Sequence, residues 1–228
     1  MKPLHLTALL ALALPASAVA QDAKPKPTAK QAPAVVQEKA KEPKVYAVGT
    51  TVPEKVTLID MDGKKTTMKQ LRGKHVVLVW YAKNCPAIVS SGARLAATAK
   101  ALGAHKDVVM IAVNSDKNDL KDAAAVKGAD GKVTKPAFAS LRKHMKDKKI
   151  NFGMAVDKGG VLARKFQAKT TPHVFVIDAK GVVQYSGALD NDPRGRKSKD
   201  EYKNHALAAV TELKAGKPVT VKSSRPYG

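Results

Sequence analysis

The sequence is poor in cysteine, in aromatic residues and in long apolar runs. It contains 1 cysteine, Cys85, so the chain cannot close an internal disulfide. Aromatic residues make up 4% of the chain, and few lie among the basic residues, which argues against a surface that stacks nucleic-acid bases. After residue 20, no apolar run approaches the roughly 18 residues that a membrane helix needs, so we expect no integral membrane segment in the mature chain.

Acidic residues are also scarce, and this leaves a strong excess of positive charge. Lys and Arg number 41 against 19 Asp and Glu, which gives a formal net charge of +22. Such an excess attracts an anionic polymer or surface at long range, including nucleic acid and anionic lipid. The basic residues are scattered through nearly every segment, a pattern that is typical of a solvated basic surface and specifies no partner.

Several motifs that carry enzyme chemistry are missing. The 6 histidines are dispersed, whereas a metal site needs clustered His, Cys or carboxylate ligands. The sequence has no phosphate-binding glycine loop, no Gly-x-Ser-x-Gly elbow and no zinc-protease histidine pair. We therefore expect no bound metal and no cofactor.

The first twenty residues have the pattern of a secretory signal peptide. In MKPLHLTALLALALPASAVA, Lys2 precedes an apolar stretch that is too short to span a bilayer, and the small residues Ala18 and Ala20 precede the expected cleavage point. We expect cleavage near Ala20 and export to a bacterial periplasm or to the cell exterior.

Two further segments follow residues 1–20. Residues 21–45 are rich in Lys, Ala and Pro and have no apolar period, which predicts a disordered linker. The remaining residues, 46–228, have the length and the alternating apolar pattern of a single folded domain.

The centre of the chain has the pattern of a parallel strand–helix–strand unit. Continuous apolar runs at 75–81 and 107–114 predict strands that are buried on both faces. Between them, apolar residues recur with helical spacing from Pro86 to Gly103. Such a unit places helices on the faces of a sheet.

The other segments extend this sheet. Alternating residues around Asp62-Gly63 predict a hairpin, Pro136 predicts the start of a short helix, and a last helix is expected from Ser198 to Gly216. Further strands are predicted at 151–157, 172–178 and 182–187. The fold class is therefore α/β with a mixed sheet.

A family resemblance is carried by the strand ending Trp-Tyr-Ala, by Cys85-Pro86 at the start of a helix, and by Thr170-Thr171-Pro172 before an apolar strand. This order resembles the thioredoxin fold, and more narrowly the redoxin branch of alkyl hydroperoxide reductase C and thiol-specific antioxidant proteins. Within that branch it is similar to secreted thioredoxin family proteins with a single active-site cysteine. The resemblance implies a thioredoxin-like fold in which helices flank both faces of a central mixed β-sheet.

The resemblance also implies roles for individual residues. Cys85 corresponds to the attacking cysteine, Ile88 takes the place of the second cysteine of a Cys-x-x-Cys motif, and Thr171-Pro172 matches the loop whose cis-proline packs beside the sulfur. The residues expected to shape the site and its substrate groove are Tyr81, Asn84, Pro86, Thr171, Pro172 and His173. His173 is either an acid or base near the sulfur or a structural residue.

Physical chemistry supports a reactive Cys85 independently of the family. A helix N-terminus presents free N–H groups and a positive dipole end that favour a thiolate, and Lys83 adds a nearby cation. The alternative is a cysteine that fills the core as a small hydrophobe. The position between polar Asn84 and Pro86, at a junction of elements, favours the reactive alternative.

Two departures from the family pattern limit the reaction. With Ile88 in the second position, Cys85 needs an external thiol to resolve any mixed disulfide. Peroxide-reducing relatives have Thr or Ser three residues before the cysteine and Pro seven before it, where this chain has Ala82 and Leu78. These positions argue against peroxidase activity, and the residues leave a thiol–disulfide oxidoreductase and a peroxiredoxin-like reductase as the two alternatives.

Two functions remain open from the sequence. The first is an exported thiol oxidoreductase that acts through Cys85, with an external thiol or disulfide protein as its redox partner. The second is a redox-inactive thioredoxin-fold protein whose basic surface holds an anionic partner. An odd cysteine in an exported protein also leaves open a dimer linked through Cys85.

Overall fold

The computed structural model describes residues 45–228, so the predicted signal peptide and all but the last residue of the predicted linker lie outside it. The described residues form nine strands: β1 (Thr57–Ile59), β2 (Lys65–Thr67), β3 (His75–Trp80), β4 (Val108–Asn114), β5 (Val126–Lys127), β6 (Val133–Lys135), β7 (Gly153–Val156), β8 (His173–Ile177) and β9 (Val183–Gly187). They also form four helices: α1 (Pro86–Gly103), α2 (Ala139–Asp147), α3 (Val161–Phe166) and α4 (His205–Lys214).

Five of the strands form one central mixed sheet in the order β7-β4-β3-β8-β9. β3 pairs in parallel with β4 and antiparallel with β8, and β4 pairs in parallel with β7. The predicted parallel unit is confirmed, because α1 connects β3 to β4. In the β3–β8 register, Trp80 lies opposite His173, which brings the end of one strand to the start of the other.

Helices cover both faces of this sheet, which confirms the predicted thioredoxin-like fold. On one face, α1, α2 and α4 contribute Leu95, Leu141 and Val210 to one apolar cluster. On the other face, α3 and the β1–β2 hairpin cover a second cluster. Its aromatic centre holds Trp80 and Phe175, whose rings meet edge to face at 5.2 Å. Such a contact adds roughly 0.5–1.5 kcal/mol beyond the burial of area.

The longest helix, α1, begins and ends as its sequence predicts. Pro86 occupies its first turn, where a missing N–H is tolerated, and Ile88, Leu95 and Leu102 form its buried stripe. None of the helices within residues 45–228 is long and apolar enough to cross a membrane.

The predicted start of the last helix was wrong. α4 begins at His205, and its cap is Asn204, whose side-chain oxygen accepts the Leu207 N–H at 2.9 Å. Ser198 instead forms a local turn in which its hydroxyl donates to Glu201 at 2.9 Å. A continuous helix from Ser198 is interrupted at residue 203, whose carbonyl accepts the Asn191 backbone N–H at 3.0 Å.

The side chain of His173, at the start of β8, is buried and 3% exposed. Its Nδ1 accepts the Lys169 backbone N–H at 3.1 Å, and its Nε2 lies 3.1 Å from the Ser186 hydroxyl oxygen. Because a backbone N–H can only donate, Nδ1 is unprotonated and Nε2 carries the ring proton. Burial, with the charge of Lys169, lowers the pKa of His173 to about 4.

Acid is expected to destabilise the fold through His173. The pKa of this imidazole is 6.5 when unperturbed and about 4 in the fold, so its neutral form stabilises fully above pH 6.5 and that contribution is lost as the pH falls towards 4. We expect the loss of unfolding free energy between pH 7 and pH 5 to be about 1–2 kcal/mol smaller in His173→Asn than in the wild type. Urea titrations at both pH values measure the difference, and equal losses in the two proteins would contradict it.

Candidate functional site

Cys85 and Thr171 meet at the edge of the sheet where β3 ends and β8 begins. The opposite positions of Trp80 and His173 bring the two flanking loops together. Cys85 is half-buried, and its thiol donates to the Thr171 carbonyl oxygen at 2.9 Å. The peptide bond between Thr171 and Pro172 is cis, and Pro172 is buried.

Cys85 is also the residue at the N-cap of α1. Its backbone is extended, with φ −67° and ψ 124°, and its carbonyl accepts the Val89 N–H at 3.0 Å as the first helical hydrogen bond. The Cys85 side chain makes no capping hydrogen bond, and the first turn contains no acidic residue. Cys85 therefore lies at the positive end of α1.

The loop between β3 and Cys85 is fixed by a buried carboxylate. Asp119 is 1% exposed, and its Oδ2 accepts the Lys83 backbone N–H and the Asn114 side-chain amide, both at 2.8 Å. The Lys83 ammonium lies 3.6 Å from the same carboxylate and donates to Ser140 at 2.7 Å. Lys83 was predicted as a cation near the sulfur, but its charge is directed towards Asp119.

Tyr81 connects the same loop to α2. Its hydroxyl oxygen lies 2.7 Å from Nε2 of His144. Burial, and then the charge of Asp119, raises the pKa of Tyr81 to about 12, while burial lowers the pKa of His144. At neutral pH, a protonated Tyr81 hydroxyl therefore shares this hydrogen bond with a neutral imidazole.

The other predicted site residues divide into two groups. Asn84 and Pro86 are exposed on either side of Cys85, where an approaching molecule would contact them. His173 is not an available acid or base, because both of its ring nitrogens are engaged by Lys169 and Ser186. The structure thus favours the structural alternative for His173.

Residues 223–228 pack beside the Thr171 loop, a contact that was not predicted from the sequence. A Cβ atom built on Gly228 would collide with the Thr171 carbonyl oxygen and would lie 3.0 Å from the carbonyl carbon. Tyr227 donates to Asp190 at 2.7 Å. Neither periodicity nor a local motif marks these contacts, because they join residues that are far apart in the chain.

Metal ligands are not grouped in the part of the chain that the structure describes. Among residues 45–228, no three or more His, Cys, Asp or Glu side chains lie close enough to hold a metal ion.

Comparisons with known proteins agree with this fold. The AhpC/TSA family matches residues 48–186 of the chain. A hypothetical protein from Sinorhizobium meliloti 1021 has a similar structure, with a TM-score of 0.64 at 19% identity over 80% of this chain and 92% of that one. An uncharacterized conserved protein from Geobacillus kaustophilus gives a TM-score of 0.63 at 20% identity over 80% and 89% of the two chains. No curated protein matches in sequence. Because the family match covers more than half of its length, the chain belongs to the AhpC/TSA family.

Proposed function

We propose that the protein is an exported thiol–disulfide oxidoreductase that acts through Cys85, with 46–228 as its folded domain. The observation that carries the proposal is the position of the sulfur, at the N-cap of α1 and 2.9 Å from the Thr171 carbonyl oxygen. Membership of the AhpC/TSA family supports a redoxin-type function at the level of the family. The exposed flanking residues Asn84 and Pro86 leave an approach to the sulfur from outside.

Cys85 lies between a hydrogen-bond acceptor and the start of a helix. The Thr171 carbonyl oxygen accepts a hydrogen bond from the thiol at 2.9 Å. The first turn of α1 presents backbone N–H groups that have no partner within the helix.

In the proposed reaction, the Cys85 thiolate attacks one sulfur of a partner disulfide. A new S–S bond forms, the partner S–S bond breaks, and its electron pair leaves with the departing thiolate. Ile88, in the place of a second cysteine, is buried at 2% exposure and has no sulfur to attack the mixed disulfide. An external thiol therefore completes the cycle and restores Cys85.

Fast alkylation of the folded protein is the first test. Because Cys85 lies at the start of α1 between the exposed Asn84 and Pro86, iodoacetamide is expected to react with it about threefold to tenfold faster at neutral pH than with the same chain in urea. Mass spectrometry follows the reaction, and Cys85→Ser is the control that should not react.

A rate below that of the denatured chain would overturn the proposal. The thioredoxin-fold binding protein would then be the better explanation, with its basic surface holding an anionic polymer or surface. Salt-dependent retention of Cys85→Ser on a heparin column at the wild-type position would support that alternative, since the charge is unchanged.

Peroxide is expected to be a poor substrate. Ala82 provides no hydroxyl group near the sulfur, and the Lys83 ammonium is paired with Asp119, so neither polarises a bound peroxide. We expect hydrogen peroxide to oxidise Cys85 no faster than it oxidises free cysteine, while a small disulfide reacts faster with Cys85 than with free cysteine. Trapping of the sulfenic acid measures the first rate, and a peroxide rate well above that of free cysteine would make peroxide the substrate instead.

Export depends on residues 1–20, which only the sequence describes. When the full chain is expressed in a bacterium, we expect the periplasmic fraction to contain a protein that begins at Gln21. Mass spectrometry of that fraction gives the start point. Full-length protein confined to the cytoplasm would contradict this part of the proposal.

A further inference from the structure

Residues 223–228, which we call the strap, are anchored to the sheet beside β9. Ser223 forms a parallel bridge with Ser186, and the Ser224 hydroxyl accepts the Ala188 N–H at 3.0 Å. Gly187 allows this approach, because a Cβ at that position would lie 2.6 Å from the Ser224 carbonyl oxygen and 2.7 Å from its nitrogen. The start of the strap is therefore fixed by close backbone packing.

The far part of the strap is held by a buried carboxylate. Asp190 is 1% exposed and accepts hydrogen bonds from Arg94 at 2.8 Å, Tyr227 at 2.7 Å and Tyr202 at 3.2 Å. Burial, and then the hydrogen bond to Asp190, raises the pKa of Tyr227, so its hydroxyl stays protonated and donates. Only Tyr227 among these three donors belongs to the strap.

Gly228, in the strap, packs against the group that Cys85 contacts. Gly228 packs so closely on Thr171 that an added Cβ would meet the carbonyl oxygen directly and would lie 3.2 Å from the Cβ of Thr170. The same Thr171 carbonyl oxygen accepts the Cys85 thiol at 2.9 Å. Gly228 and the Cys85 sulfur therefore both lie beside the Thr171 carbonyl group.

The position of Gly228 beside Thr171 affects how large a molecule can be and still reach Cys85. In a disulfide, the two Cα atoms are usually about 5.5–6 Å apart, so a protein joined to Cys85 must bring its backbone close to the neighbouring chain. The backbone beside Thr171 is already covered by Gly228. A small disulfide has no such backbone and needs less space.

We propose that the strap restricts the reaction of Cys85 to small disulfides and thiols and excludes extended protein segments until it is displaced. This inference rests on the proposed thiol–disulfide function, whose substrate class it narrows. Tyr227 and Gly228 act as specificity-determining residues, since they hold the strap over Thr171 and take no part in sulfur chemistry.

A substrate that offers Cys85 two different sulfur atoms in one disulfide tests the proposal. The probe is a short uncharged peptide whose one cysteine is disulfide-bonded to mercaptoethanol. Attack of Cys85 on the peptide sulfur forms a protein–peptide disulfide and releases mercaptoethanol, and attack on the other sulfur forms a protein–mercaptoethanol disulfide and releases the peptide. Mass spectrometry at early times gives the ratio of the two adducts, which cancels changes in the reactivity of Cys85 itself.

Three variants of the full chain are compared with the wild type. In Tyr227→Phe, which loses one hydrogen bond to a carboxylate, we expect the ratio of peptide to mercaptoethanol adduct to rise about tenfold. Deletion of residues 225–228, which retains the contacts of Ser223 and Ser224, should raise this ratio by at least the same factor. Tyr202→Phe is the matched control, because it removes a hydrogen bond to the same Asp190 outside the strap, and its ratio should match the wild type.

Unchanged ratios in both strap variants would overturn the proposal, and so would an equal rise in Tyr202→Phe. If the deletion variant fails to fold, as judged by circular dichroism, Tyr227→Phe decides the outcome. If neither adduct forms in any of the proteins, the thiol–disulfide function itself fails, and the access proposal fails with it.

Discussion

The antiparallel register between β3 and β8 determines where every group around Cys85 lies. Because Trp80 is opposite His173, the loop that carries the sulfur and the loop that carries Thr171 leave the sheet at the same place. A shift by one residue would turn the buried side chains of β8 towards the opposite face and separate the thiol from its carbonyl partner. Apolar burial on both faces of the sheet opposes such a shift. The packing of the core therefore also fixes the geometry of the site.

Near this edge, buried carboxylates hold the backbone of the loops through hydrogen bonds. Asp119 holds the loop after β3 through the Lys83 N–H, and Asp157, after β7, accepts the first N–H groups of α3 from Leu162 and Ala163. Both carboxylates are nearly inaccessible, which makes each hydrogen bond costly to lose. The loop that precedes Cys85 and the start of α3 are thus each held by hydrogen bonds to a buried carboxylate.

The sequence was sufficient for features that depend on local pattern. Apolar runs identified the strands of the central sheet, and Cys85-Pro86 identified the start of α1, because burial on two faces and a helix cap both leave short-range signatures. Features that depend on distant partners were missed. The pairing of residues 191 and 203 moved the start of α4, and the contact between Gly228 and Thr171 has no local pattern at all.

The buried Ile88 gives the oxidised protein an unusual property. A dithiol enzyme reaches the same oxidised form whichever substrate it has met, because its two sulfurs close on each other. With hydrocarbon at position 88, a mixed disulfide at Cys85 has no second sulfur in that position to displace the partner. In the proposed function, the oxidised protein therefore retains part of its most recent partner as a mixed disulfide until another thiol displaces it.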